Sequence, residues 1–179
     1  MQDKSEKKKN PKALIIALVA VIVVVIGIVI GITRGGGSSD EATATTMRIE
    51  SATGDVVLIK DGEEVSVMND MQMHDGNALS TAASSYVDLA LDETKMAGLD
   101  EISKANFMQS GKNLKIKLDE GGLYFYTTQA VADDETFEIE TNNMMVGIRG
   151  TSGYVRRDTS SGDTEIYLTS GEVEVEGID

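Results

Sequence analysis

Residues 13–32 read ALIIALVAVIVVVIGIVIGI, an unbroken apolar run of 20 residues in which only Gly27 and Gly31 are not hydrophobic. At a helical rise of about 1.5 Å per residue such a run spans about 30 Å, the thickness of a bilayer's hydrocarbon core. A soluble helix of that length would carry a polar stripe, and this one has none. The run predicts a single transmembrane helix over 13–33. It divides the chain into a basic tail (1–12), a Gly/Ser/Thr-rich linker (34–46) and an acidic domain (47–179).

The tail holds Lys4, Lys7, Lys8, Lys9 and Lys12 against Asp3 and Glu6. Lysines close to a span are retained in the cytoplasm, so the N-terminus is expected inside and the domain outside. A cleaved signal peptide is the rival reading, but its apolar region is usually about 7–15 residues, shorter than this one. An uncleaved signal anchor in a bacterial cell membrane is therefore expected.

Two of the 30 acidic residues and six of the 16 basic ones precede residue 40, leaving 28 acidic against 10 basic in the rest. That field repels nucleic acid and anionic headgroups. The chain has no cysteine, so no disulfide staples the domain, which suggests a bacterial rather than a secreted eukaryotic module.

Past the linker the pattern is strand upon strand. Val56–Ile59 and Val65–Val67 flank Asp61-Gly62, a hairpin signal because both turn positions need positive φ. Asp75-Gly76 marks another turn. Val87, Leu89 and Leu91 alternate with polar or small residues, as do Leu114, Ile116 and Leu118, and then Phe137, Ile139 and Thr141. Gly121-Gly122 reads as a turn sending the chain back into Leu123–Tyr126. Met144–Ile148 reads as a strand buried on both faces. Ile166–Leu168 and Val173–Val175 read as a final hairpin through Ser170-Gly171, an echo of the first one.

The block Phe137–Thr141, then Val146-Gly-Ile-Arg149-Gly150-Thr151, then Ile166-Tyr-Leu-Thr-Ser-Gly171-Glu-Val173 resembles the closing motif of FecR domains. Gly54-Asp55-Val56 and the turn Asp75-Gly76-Asn77, followed by the strand Ser85–Asp92, resemble its opening. The resemblance covers roughly residues 47–177. Asn142 stands where the family often has Pro, Asn77 where it usually has an acidic residue, and Tyr154 follows Thr151 later than the family's aromatic does. The resemblance implies an all-β fold, a rolled β-sandwich or a short β-helix. It also implies that Gly76, Thr141, Arg149, Gly150, Thr151, Gly171 and Val173 are motif residues of structural role. Iron-dicitrate regulators of this type carry a cytoplasmic segment of several dozen residues that handles a sigma factor. Twelve polar residues ahead of the span cannot form such a core, so that role is not expected here.

Candidate chemistry is sparse. His74, the one histidine, sits in a turn with nothing resembling a nucleophile elbow nearby. Met68, Met71 and Met73 with His74 could ligate copper(I), a soft ion, or could fill gaps under a hairpin. Asp133-Asp134-Glu135 and the Asp158–Asp163 loop could offer oxygen ligands to calcium, but lack EF-hand spacing and suit ordinary turns. Arg149, next to an apolar run, is expected as an internal strut held by a carboxylate or by strand-end carbonyls, with a partner-binding anchor as the alternative. Gly150 and Gly153 are expected at tight turns.

These readings predict a non-catalytic, membrane-anchored extracytoplasmic domain without a cofactor, binding an envelope protein or ligand as sensor, signalling component or scaffold. The alternatives are an adhesion or carbohydrate-binding module and a metal-binding envelope protein. A carbohydrate role requires several exposed aromatics on one face.

Overall fold

A computed structural model describes residues 46–178. The basic tail, the transmembrane run and all of the linker but Thr46 lie outside the described residues. Within them no helix is long and apolar enough to cross a membrane. The strands are β1 (Arg48–Thr53), β2 (Val56–Lys60), β3 (Glu63–Ser66), β4 (Asn77–Thr81), β5 (Tyr86–Ala90), β6 (Lys95–Leu99), β7 (Ser103–Ser110), β8 (Asn113–Thr127), β9 (Thr136–Glu140), β10 (Met144–Ile148), β11 (Ser152–Arg157), β12 (Thr164–Ser170) and β13 (Val173–Gly177). All belong to one sheet that curls on itself.

The 15-residue strand β8 makes the curl possible. Its first part, up to Glu120, pairs with β7 and β9, and its last part pairs with β6 and β11. One half-sheet therefore runs β1-β5-β6-β8-β11-β12 and the other β3-β2-β4-β7-β8-β9-β10-β13. The sequence records the bend as a change of parity. Leu114, Ile116 and Leu118 are buried, and so are Leu123 and Phe125. Even positions face inward before Gly121 and odd ones after it. Gly121 supplies the slip with φ +82, and the β7 ladder shifts register opposite, between Lys104 and Ala105. A Cβ at Gly121 would lie 2.4 Å from the Ile102 carbonyl oxygen. Gly121-Gly122 is thus a bend within a continuing strand, not the reversal expected from the sequence.

The core fills the space between the half-sheets. Phe125 of β8 meets Phe137 of β9 edge to face at 6.4 Å, one ring from each half. Around them pack Ile49, Leu79, Leu99, Phe107 and Ile139, all buried. Each such side chain contributes about 1.5–3 kcal/mol of transfer free energy. The first hairpin forms as expected: Asp61 and Gly62 have φ +52 and +79, as a type I′ turn requires.

Three expectations are corrected. Only β8 and β9 pair in parallel, and every other ladder is antiparallel, so the architecture is a roll and not a β-helix. Strands β12 and β13 do not pair with each other: β12 joins β11 in one half-sheet and β13 joins β10 in the other. The echo of the first hairpin therefore reflects turn chemistry alone. In β10, Val146 and Ile148 are buried, but Met145 and Gly147 are only half-buried, so one face is core and the other is partly open.

Candidate functional site: two fastenings and an outer tyrosine face

Strand β10 is fastened at both ends by motif residues. At its start, the Thr141 N–H donates to the Met144 carbonyl (2.8 Å) and its hydroxyl donates to Asn143 Oδ1 (3.0 Å). The Thr164 hydroxyl of β12 donates to Thr141 Oγ1 (3.1 Å), which ties the two half-sheets. At its far end, buried Thr151 donates to the Glu172 carbonyl (2.6 Å). Gly171, at φ +77, packs so closely there that a Cβ would stand 2.8 Å from the Gly150 carbonyl oxygen. Gly150 itself has φ +126, and a Cβ on it would meet the Ala130 backbone at 2.9 Å. Val173 is half-buried against the core, opposite Ile148. Gly76 lies elsewhere, in the turn before β4, where its N–H donates to the Phe107 carbonyl (2.9 Å). Asn77 accepts the His74 N–H there (3.0 Å), a job its amide oxygen does without a charge.

Two expectations fail here. Gly153 is not in a turn but in β11, where the Tyr167 carbonyl oxygen would approach a Cβ to 2.6 Å. Arg149 is no internal strut. It reaches a carboxylate, Glu174 Oε2 at 2.9 Å, but both side chains are more than half exposed, 54% and 72%. The pair bridges the outer surface of β10 and β13.

The metal candidates disperse. Met73 is in the core while Met68 is 66% exposed, so the thioethers do not converge on His74. Asp134 pairs with Lys112 (2.8 Å) and Glu135 with Lys95 (2.7 Å). Asp158 Oδ1 accepts the N–H and hydroxyl of Ser160 (2.8 and 2.6 Å), an Asx turn. Among the described residues no three His, Cys, Asp or Glu side chains are grouped for a metal.

Sequence reasoning missed two buried cations. Lys95, 2% exposed, sits between Asp92 (2.8 Å) and Glu135 (2.7 Å) and links β6 to the segment before β9. Burial is the largest influence on Lys95 and favours its neutral form, but the two carboxylate hydrogen bonds together outweigh it and raise its pKa. Burial likewise pushes Asp92 up, and the bonds from Lys95 and Thr94 more than reverse this, so its carboxyl titrates lower than usual. The Asp-x-Thr-Lys spacing was the available signal. Arg157 is 8% exposed and clamps the loop that follows it, donating to the Asp158 and Asp163 carbonyls (2.7 and 3.3 Å).

The largest surprise is the outer face of the β1-β5-β6-β8-β11-β12 half-sheet. All five tyrosines of the chain are on it: Tyr86 from β5, Tyr124 and Tyr126 from β8, Tyr154 from β11 and Tyr167 from β12. Four of them are 37–56% exposed. Tyr124, Tyr154 and Tyr167 are direct neighbours on three adjacent strands, and the rings of Tyr154 and Tyr167 stand 6.4 Å apart. Glycines make room for two rings to lie against the sheet. A Cβ at Gly98 would overlap Tyr124, and one at Gly122 would overlap Tyr154. The Tyr154 hydroxyl donates to Asp100 (2.9 Å) and that of Tyr167 to Glu165 (3.1 Å). Burial first, then the Asp100 bond, pushes Tyr154 up to about 12, so it remains a donor at any physiological pH. The next outward pair, Arg156 and Glu165, opens into a recess of about 180 Å³ lined also by Asp158, Ser161 and Asp163.

The fold and the fastenings of β10 define a class: an all-β roll whose two half-sheets are tied by side-chain hydrogen bonds. The family model described as FecR protein matches residues 77–174, from β4 to the second residue of β13. The chain belongs to the FecR family. The opening strands β1 to β3 lie outside the matched span but pair into the same sheet. No curated protein and no solved structure gives a match.

Proposed function

We propose that the chain is a membrane-anchored, non-catalytic FecR-type module that binds an envelope partner outside the cytoplasm, as a sensor or scaffold. Family membership across residues 77–174 supports the signalling class. The apolar run over 13–32 and the lysines before it support a cytoplasmic tail and an external domain. The observation that carries the binding role is the outer tyrosine face, because Tyr is enriched where proteins bind and costs little side-chain entropy on docking.

The test is topology with capture. Protease added to intact cells should remove the domain and spare the tail, and cross-linking in native membranes should trap a partner. Protection of the domain from external protease would overturn the reading. A second reading, a carbohydrate-binding or adhesion module, gains from the same face, since it needs several exposed aromatics together.

A further inference from the structure

The tyrosine face is a platform with a polar end. Tyr124, Tyr154 and Tyr167 follow one another across adjacent strands, and the rings of Tyr154 and Tyr167 stand 6.4 Å apart, tilted 45° to each other. The hydroxyl ends of two of those rings lie over Gly98 and Gly122, which keeps the surface low. One step along the same strands, Arg156 faces Glu165 and the recess begins. A row of rings running into a pocket of fixed donors and acceptors suits a ligand with both apolar faces and many hydroxyls.

We propose that this face binds a flat, uncharged, β-1,4-linked polysaccharide, with pyranose rings stacked on the tyrosine row and hydroxyls held by Arg156, Glu165 and Asp163 in the recess. A pyranose presents C–H groups on its face and hydroxyls around its rim. The C–H groups are drawn to the electron-rich face of an aromatic ring, and the hydroxyls need polar partners at the edge. A β-1,4 linkage keeps the chain extended, so that it can cross the three adjacent strands that carry Tyr124, Tyr154 and Tyr167. The ligand is uncharged because the domain is strongly acidic and Asp88, Asp100 and Glu165 stand on this face. A second copy would bring those carboxylates against their own kind. Protein interfaces use tyrosine too, but the apolar centre they bury is thin here, since Met96 is the one exposed aliphatic side chain at the outward positions of β5, β6, β8, β11 and β12.

The proposal rests on reading the domain as a binding module, but the two fail separately. Protection from external protease removes the module reading. Absence of glycan binding beside successful protein cross-linking removes the ligand alone.

The experiment is calorimetric titration of the full chain, held in a polyoxyethylene detergent that carries no sugar, with cellohexaose and chitohexaose. Saturable binding to at least one hexamer is expected. Tyr167→Ala and Tyr124→Ala should each weaken it at least tenfold, Arg156→Gln several-fold, and Lys115→Ala on the opposite outer face not at all. Tyr167→Phe, which keeps the ring, should retain most of the affinity and shows that loss in the Ala variant is not misfolding. No saturable heat with either hexamer would overturn the proposal, as would unchanged affinity in Tyr167→Ala. A dimer abolished by Tyr167→Ala and indifferent to both hexamers would assign the face to a second copy instead.

Discussion

The two outer faces of the roll obey the same alternation and carry different chemistry. On one side, Lys115 and Lys117 of β8 and Glu138 and Glu140 of β9 point outward and are set opposite each other. Lys115 lies 3.4 Å from both Glu138 and Glu140, and Lys117 3.4 Å from Glu140, across the parallel ladder of β8 and β9. Arg149 and Glu174 extend the pattern. This is a solvated face, where each pair adds little and repels nothing but association. Across the roll, the same strand β8 turns Tyr124 and Tyr126 outward, and the neighbouring strands add three more tyrosines. Gly121 separates the two regimes, since the strand crosses from one face to the other at that residue. This contrast between an ion-paired face and one with half-exposed aromatic rings is what supports the proposal that the second face is the one that makes contact.

Ion pairs also allow the sharpest comparison of inside with outside. Lys95→Met removes the cation from a site where it is almost wholly buried, leaving Asp92 without its cation and Glu135 with only the more distant, exposed Lys112 (3.8 Å). The expected loss is about 2–3 kcal/mol, below the full range for buried pairs because both carboxylates keep some water. It should appear in urea melts as a lower midpoint with an unchanged slope. The pH dependence follows from the two shifts. Lys95 is raised, so its contribution is whole below the unfolded lysine pKa of about 10.4 and fades as pH climbs through the higher folded value. Asp92 is lowered, so its contribution is whole above about 3.9 and fades as pH falls through the lower folded value. The gap between wild type and Lys95→Met should therefore be widest between those limits and close at both ends.

A smaller effect separates glycines on the two half-sheets. Gly122→Ala places a methyl where the Tyr154 ring lies, so the ring must lift and its bond to Asp100 is lost. About 1–2 kcal/mol is expected, with a change in near-ultraviolet tyrosine dichroism. At Gly147 of β10 the nearest atom to an added Cβ is 3.6 Å away, so Gly147→Ala should stay within about 0.5 kcal/mol. Equal effects at the two sites would show that Tyr154 does not rest on Gly122.

Smallest of all are the outer ion pairs. Arg149→Ala and Lys115→Ala should each change stability by no more than about 0.5 kcal/mol. A loss of several kcal/mol at Arg149 would restore it as an internal strut.

Much of this was legible in residue alternation. The buried positions of β5, β8, β9 and the first hairpin follow from period two and from Asp61-Gly62. The motif residues Thr141, Gly150, Thr151 and Gly171 could be picked out, but not why they matter. Their bonds join segments about 20 residues apart or more, and alternation says nothing about which strands meet. The β12–β13 error has the same cause. Ser170-Gly171 has hairpin chemistry, yet Gly171 sends the chain to the other half-sheet, and that choice belongs to tertiary pairing. Arg149 follows an apolar run that suggests burial, but strand parity after buried Ile148 turns it outward. Each tyrosine could be placed on an outer face from its core neighbours, such as Leu123 and Phe125 beside Tyr124. That all five share one face needed the strand order.

The central claim is that one outer face meets the envelope and the other meets only water. Photo-cross-linking in intact cells tests it directly, with p-benzoylphenylalanine introduced by Tyr126→p-benzoylphenylalanine on one face and Lys117→p-benzoylphenylalanine on the other. Both positions are outward on β8, so they differ in face and not in strand. The account predicts light-dependent adducts to envelope protein or glycan from position 126 and none from position 117. Adducts from 117 with none from 126 would contradict it and move the binding surface to the ion-paired face.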